Sequence, residues 1–120
     1  PLKTSSEKIS QQEKISITDQ IATAITNLMG YDLRGEKGSS TKAILYTILM
    51  ERDFEDFREL SDFLRDINDG PLKEKLNALA INNRQTVEIT RKLTLLSVGK
   101  NQLLFEKMNN LLIKLLLNAF

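Results

Sequence analysis

Two short stretches carry the residue types that meet polyanions. Ser39-Ser40-Thr41-Lys42 offers three hydroxyls and a cation where a helix is expected to begin. Free backbone N–H groups, hydroxyls and positive charge at such a point form a phosphate clamp. Lys14-Ile15-Ser16-Ile17-Thr18 alternates polar and apolar residues, the period of a strand. As a strand it would turn Ile15 and Ile17 inward and Lys14, Ser16 and Thr18 outward. Paired with the same strand of a second subunit, it becomes a two-stranded ribbon. Such a ribbon fits the major groove, where Lys14, Ser16 and Thr18 would read base edges. The alternative is that 14–18 is the first turn of a longer helix and Ser39 to Thr41 an ordinary cap.

Other chemistry is thinly supplied. There is no histidine and no cysteine, which removes the commonest general base, thiolate nucleophiles, disulfides and the usual zinc ligands. Gly35-Glu36-Lys37-Gly38-Ser39-Ser40 lacks the Gly-Lys-Ser/Thr ending of a phosphate loop, and no nucleophile elbow or dinucleotide fingerprint is present. The acidic run Glu51, Asp53, Glu55, Asp56, Glu59, Asp62, Asp66 and Asp69 is strewn around a helical pattern without EF-hand spacing. No catalytic residue, metal site or cofactor is therefore expected, and the chain is not expected to be an enzyme.

Charge is unevenly placed. The net charge is +1, but residues 1–50 carry six basic and five acidic groups, 51–70 three and eight, and 71–120 eight and three. Such a dipolar chain can join its two ends between subunits or present a basic surface to a polyanion. Lys73, Lys75, Arg84, Arg91, Lys92, Lys100 and Lys107 could follow phosphates without selectivity. Their even spacing favours solvated faces or pairing with the acidic helix.

The elements that must position these residues are mostly helical. Hydrophobic residues make up 41% of 120, enough for one domain's core, and Gly (5) and Pro (2) are scarce. Residues 1–12 read as a polar arm. Thr18 and Asp19 supply cap chemistry for a first helix bearing Ile21, Ala24, Ile25, Leu28 and Met29, which Gly30 ends. A second helix starts at Ser39, with Ile44, Leu45, Ile48 and Leu49 inward. It is expected to run on through Phe54, Phe57, Leu60, Leu64 and Ile67, with an acidic outer face. Asn68-Asp69-Gly70-Pro71 is the clearest stop, and a long helix follows it towards Val98.

The stretch 103–117 has more apolar surface than a lone helix can hide. Leu104, Met108, Leu111 and Leu115 make a coiled-coil-like seam, widened by neighbouring leucines. Glu106, Lys107, Asn109, Asn110 and Lys114 make it too polar for a comfortable membrane span. The stretch is either the centre of a monomeric bundle or an oligomerisation element, and oligomerisation through this seam, and through Ile15 and Ile17 of the ribbon, is the expectation. The protein is expected to be cytoplasmic, without membrane insertion.

Taken together, Lys14 to Asp19 followed by Gln20–Met29 and Ser39–Arg52 resembles the ribbon-helix-helix family of DNA-binding proteins over roughly residues 13–55. Within that family the layout is most similar to the TraM-type relaxosome accessory proteins of conjugative plasmids. The resemblance implies a mostly α fold, with an N-terminal ribbon-helix-helix domain over 13–68 and a helical oligomerisation domain over 71–120. It also implies dimers of ribbons on double-stranded DNA near a transfer origin, a dimeric or tetrameric bundle, and a protein partner in the DNA-transfer machinery. A sequence-specific DNA-binding accessory protein or repressor is the function expected on this basis. The alternative is an all-helical interaction or scaffold protein without a nucleic-acid role.

Overall fold

The computed structural model describes residues 11–54 and 56–98. Five helices form among them: α1 (Gln11–Leu28), α2 (Glu36–Glu51), α3 (Phe57–Arg65), α4 (Gly70–Leu79) and α5 (Gln85–Leu96). No strand occurs among the described residues. The ribbon-helix-helix expectation is thereby corrected: Lys14 to Thr18 lies inside α1. The period that decides is not two. Thr18, Ala22, Ile25 and Met29 are buried at steps of four, three and four, while Ile15 is 41% exposed. A five-residue strand needs a partner for its backbone, whereas the extended helix satisfies its own N–H groups.

The end of α1 is set by Gly30, the one described residue with positive φ among the glycines, at 86°. Its amide donates to Asn27 O at 3.0 Å and that of Tyr31 to Thr26 O at 3.3 Å. These paired bonds are those of a Schellman cap, which favours glycine at its left-handed position. The chain turns back, and α2 packs along α1. The turn itself packs tightly on α2 at Gly38, where a Cβ would sit 2.0 Å from the Asp32 carbonyl oxygen.

A second correction concerns the helix expected to continue from Ser39 to Ile67. It stops at Glu51, and Arg52 is fully extended (φ −163°, ψ 166°). Asp56 restarts it, its side chain accepting from the Glu59 amide at 2.8 Å. A straight helix over 36–67 would be about 48 Å long and would carry Phe57, Leu60 and Leu64 away from the rest. Bending instead buries all three, with Phe57 and Leu60 at 0% exposure.

The stop at 68–71 forms as expected, with Asp69 accepting from the Leu72 amide at 3.1 Å and Pro71 in the first turn of α4. The single helix expected from there to Val98 is broken in two. Asn82 Oδ1 accepts from the Arg84 amide at 2.9 Å, giving the backbone a local alternative to helix. The resulting turn lets α5 fold back against α3, while α4 lies against α2. Core side chains come from all five helices, so residues on both sides of the 68–71 turn share one core.

Candidate interaction surface

The residues expected to meet DNA are dispersed by this fold. On α1, Ser16 is exposed and accepts from Gln20 Nε2 at 3.4 Å, Lys14 is half-buried, and Thr18 is buried. On α2, Ser39 to Lys42 sit in the second turn rather than at the cap, because the helix begins at Glu36 after Gly35. The Ser39 amide already donates to Gly35 O at 3.0 Å and is not free for a phosphate. Lys42 Nζ pairs with Asp19 Oδ1 at 2.9 Å, a bridge between α1 and α2. The free N–H groups that a phosphate clamp at Ser39 requires are thus taken up by the helix itself.

Ser40 and Thr41 instead meet Gln85, which is 1% exposed. Gln85 Nε2 donates to Thr41 Oγ1 at 3.2 Å, and its Oε1 accepts from the Ile81 amide at 2.6 Å. The Ser40 hydroxyl lies 2.5 Å from Leu79 O and 3.1 Å from Gln85 Oε1, its one proton shared between them. This knot ties α2 to the turn between α4 and α5. Nothing in the sequence spacing singles out Gln85, since its side-chain partners Ser40 and Thr41 are more than forty positions away in the chain.

A second cluster surrounds Tyr31. Its hydroxyl donates to Glu88 Oε1 at 3.0 Å, and Lys37 Nζ reaches the same oxygen at 2.9 Å. Lys92 Nζ stands 4.2 Å from the Tyr31 ring centre and donates to Met29 O at 3.3 Å, against the carbonyl end of α1. Burial, and then the hydrogen bond to Glu88, push the Tyr31 hydroxyl up to about 12. The Lys37 ammonium, more than the Tyr31 hydroxyl, holds the Glu88 carboxyl below its usual range. A phenol this reluctant to ionise is a poor general base, and its hydroxyl is already bonded to Glu88. The cluster clamps the α1–α2 turn onto α5.

Between α3, α4 and α5 lies a cleft of about 190 Å³ lined by Leu64, Arg65, Ile67, Lys73, Leu76 and Thr86. It is below the roughly 300 Å³ at which small-molecule sites begin. Arg65 is also held by Asp62 at 2.9 Å and Asp66 at 3.5 Å. Among the described residues, no group of three or more His, Cys, Asp or Glu side chains could hold a metal ion.

What the fold leaves open is the outer face of α5. Its inner face is Gln85, Ile89, Leu93 and Leu96. Opposite them, Val87 is 64% exposed, Leu95 65% and Val98, just past the helix, 66%. Exposed Arg91 lies on the same side. Three large apolar side chains on one helical face, with no packing partner among the described helices, form a stripe of the kind that mates with another surface. Helical spacing alone does not mark this stripe as the outside, because it defines faces without saying which one is covered. The seam residues Leu104, Met108, Leu111 and Leu115 lie outside the described residues. Among the described residues no helix is long and apolar enough to cross a membrane.

No family model, no curated protein and no solved structure matches this chain.

Proposed function

We infer that this chain is an all-helical association module, a scaffold or adaptor subunit that acts by bringing copies of itself together. The observation that carries this reading is the stripe Val87, Leu95 and Val98, exposed on the face of α5 opposite the core. It leads along the chain into 103–117, where ten of fifteen residues are large and apolar. Val87, Leu95 and Val98 take no part in the five-helix core, so this stripe is available for burial between copies. Burial of each such side chain stabilises association by roughly 1.5–3 kcal/mol.

The test is the solution mass of the full chain by light scattering, beside a Val87→Glu/Leu95→Glu double variant. An oligomer that dissociates in the variant, with helicity unchanged, is the expected result. A monomeric wild-type chain would overturn the proposal. Duplex DNA added at low salt is expected to leave the mass unaltered. A salt-dependent shift onto DNA would favour nucleic-acid binding instead.

A further inference from the structure

The exposed stripe of α5 is interrupted by one charge. Arg91 stands one helical turn after Val87 and one turn before Leu95, in the middle of the apolar face, and is itself exposed. Arg34, Arg52 and Arg65 each hold a carboxylate. Among the described residues Arg91 holds none. The nearest acid on its own helix, Glu88, is already engaged by Lys37 Nζ at 2.9 Å and the Tyr31 hydroxyl at 3.0 Å. On the other flank of the stripe, Thr94 is occupied by Ser61 at 2.8 Å, a neutral pair. The face therefore carries an uncompensated cation at its centre.

Identical subunits ordinarily meet about a two-fold axis, so that a patch covers itself. The register of α5 on α5 changes little for Arg91. Parallel pairing sets the two Arg91 side chains side by side. Antiparallel pairing of Val87 with Leu95 runs the axis past Arg91 itself. Antiparallel pairing of Val87 with Val98 displaces the two by three residues, about 4.5 Å along the helix. In each case two guanidiniums come within reach of one another as water leaves the stripe around them. Like charges juxtaposed in this way oppose association. Their planar forks of N–H donors also match an oxyanion placed between them.

We propose that two copies of the chain share a free divalent oxyanion of the phosphate kind between their Arg91 side chains, and that this anion strengthens association through α5. The site is incomplete in one chain, because each copy brings one guanidinium. This inference rests on the reading of α5 as the surface that copies share, and adds what regulates that surface. The anion turns a repulsive centre into a bridge, while Val87, Leu95 and Val98 supply the apolar contact around it.

Light scattering of the full chain, in chloride and then in inorganic phosphate at the same ionic strength, tests the bridge. The association constant of the wild-type chain should rise about fivefold or more in phosphate. Arg91→Gln removes the charge at an exposed position, so it should associate about tenfold more tightly than wild type in chloride and ignore phosphate. Arg91→Lys keeps the charge without the fork, and its response to phosphate should be smaller than that of wild type. Wild-type association that phosphate leaves unchanged, or an Arg91→Gln chain that responds as wild type does, would overturn the bridge while leaving the α5 surface standing. A phosphate response that persists in the Val87→Glu/Leu95→Glu variant would place the anion elsewhere and overturn it too. Wild-type and Arg91→Gln chains that both stay monomeric in either salt would overturn the α5 reading itself.

Discussion

Gln85 Nε2 donates to Thr41 Oγ1 at 3.2 Å, joining two residues that are both at most 1% exposed and 44 positions apart. This bond, with the Ile81 amide on Gln85 Oε1, gives the buried amide partners on both sides. A buried amide left unpaired costs more than the net worth of its hydrogen bonds. The pairing therefore selects the one arrangement of α2 against the α4–α5 turn in which these groups meet.

Gln85→Ala removes the amide and leaves Thr41 Oγ1 and the Ile81 amide without these partners. A loss of roughly 2–4 kcal/mol is expected. Urea denaturation followed by circular dichroism measures it. A change below about 0.5 kcal/mol, the range of ordinary surface substitutions, would show that the knot contributes little.

Two glycines should respond in opposite directions. Gly38→Ala places a Cβ 2.0 Å from a backbone oxygen, which a flexible side chain cannot relieve. A loss of about 2–3 kcal/mol is expected as α2 is pushed off the Asp32 turn. Gly70→Ala meets nothing within 4 Å and stands at the start of α4 with ordinary φ, so it should be neutral or stabilising by about 0.4–1 kcal/mol. Thermal melts of the two variants decide the matter.

Phe57 is 0% exposed and anchors α3 in the core. Phe57→Ala should cost about 3–5 kcal/mol. Val87→Ala, at 64% exposure, should leave the chain's own stability within about 0.5 kcal/mol. Should the Val87 change also destabilise a diluted monomer, the side chain would have a packing role within the fold, not only on its surface.

The Tyr31 cluster should make stability depend on pH at both ends. The Glu88 carboxyl is held down chiefly by Lys37, so its contribution is present above the ordinary value of 4.5 and fades as pH falls below it. The Tyr31 hydroxyl is pushed up from 10.0 to about 12, so its contribution is complete below pH 10 and is lost as pH rises towards 12. Denaturant melts across both limbs, with Tyr31→Phe as control, test this. The variant should lose the alkaline step of Tyr31 and keep an acid limb. An unchanged alkaline limb in Tyr31→Phe would refute the assignment.

Local chemistry determined several features by sequence alone. Gly30 ends α1 because a left-handed cap suits glycine, and Asp69 and Pro71 start α4 because each answers a need of a helix N-terminus. The inward set Ile44, Leu45 and Ile48 follows directly from helical spacing. Segment length and helix joins were not legible in the same way. Lys14 to Thr18 alternates well enough for a strand, yet the burial of Thr18, Ala22 and Ile25 against α2 makes it helix. The apolar spacing carries past Arg52 through Met50, Phe54 and Phe57, and only the folding back of α3 over a shared core breaks the helix there, whereas past Ile81 the polar run Asn82 to Thr86 already interrupts it. The candidate surface was hidden for the same reason. A stripe of Val87, Leu95 and Val98 becomes an outside only once Ile89 and Leu93 have been chosen as the inside, and periodicity names faces without saying which one finds a partner.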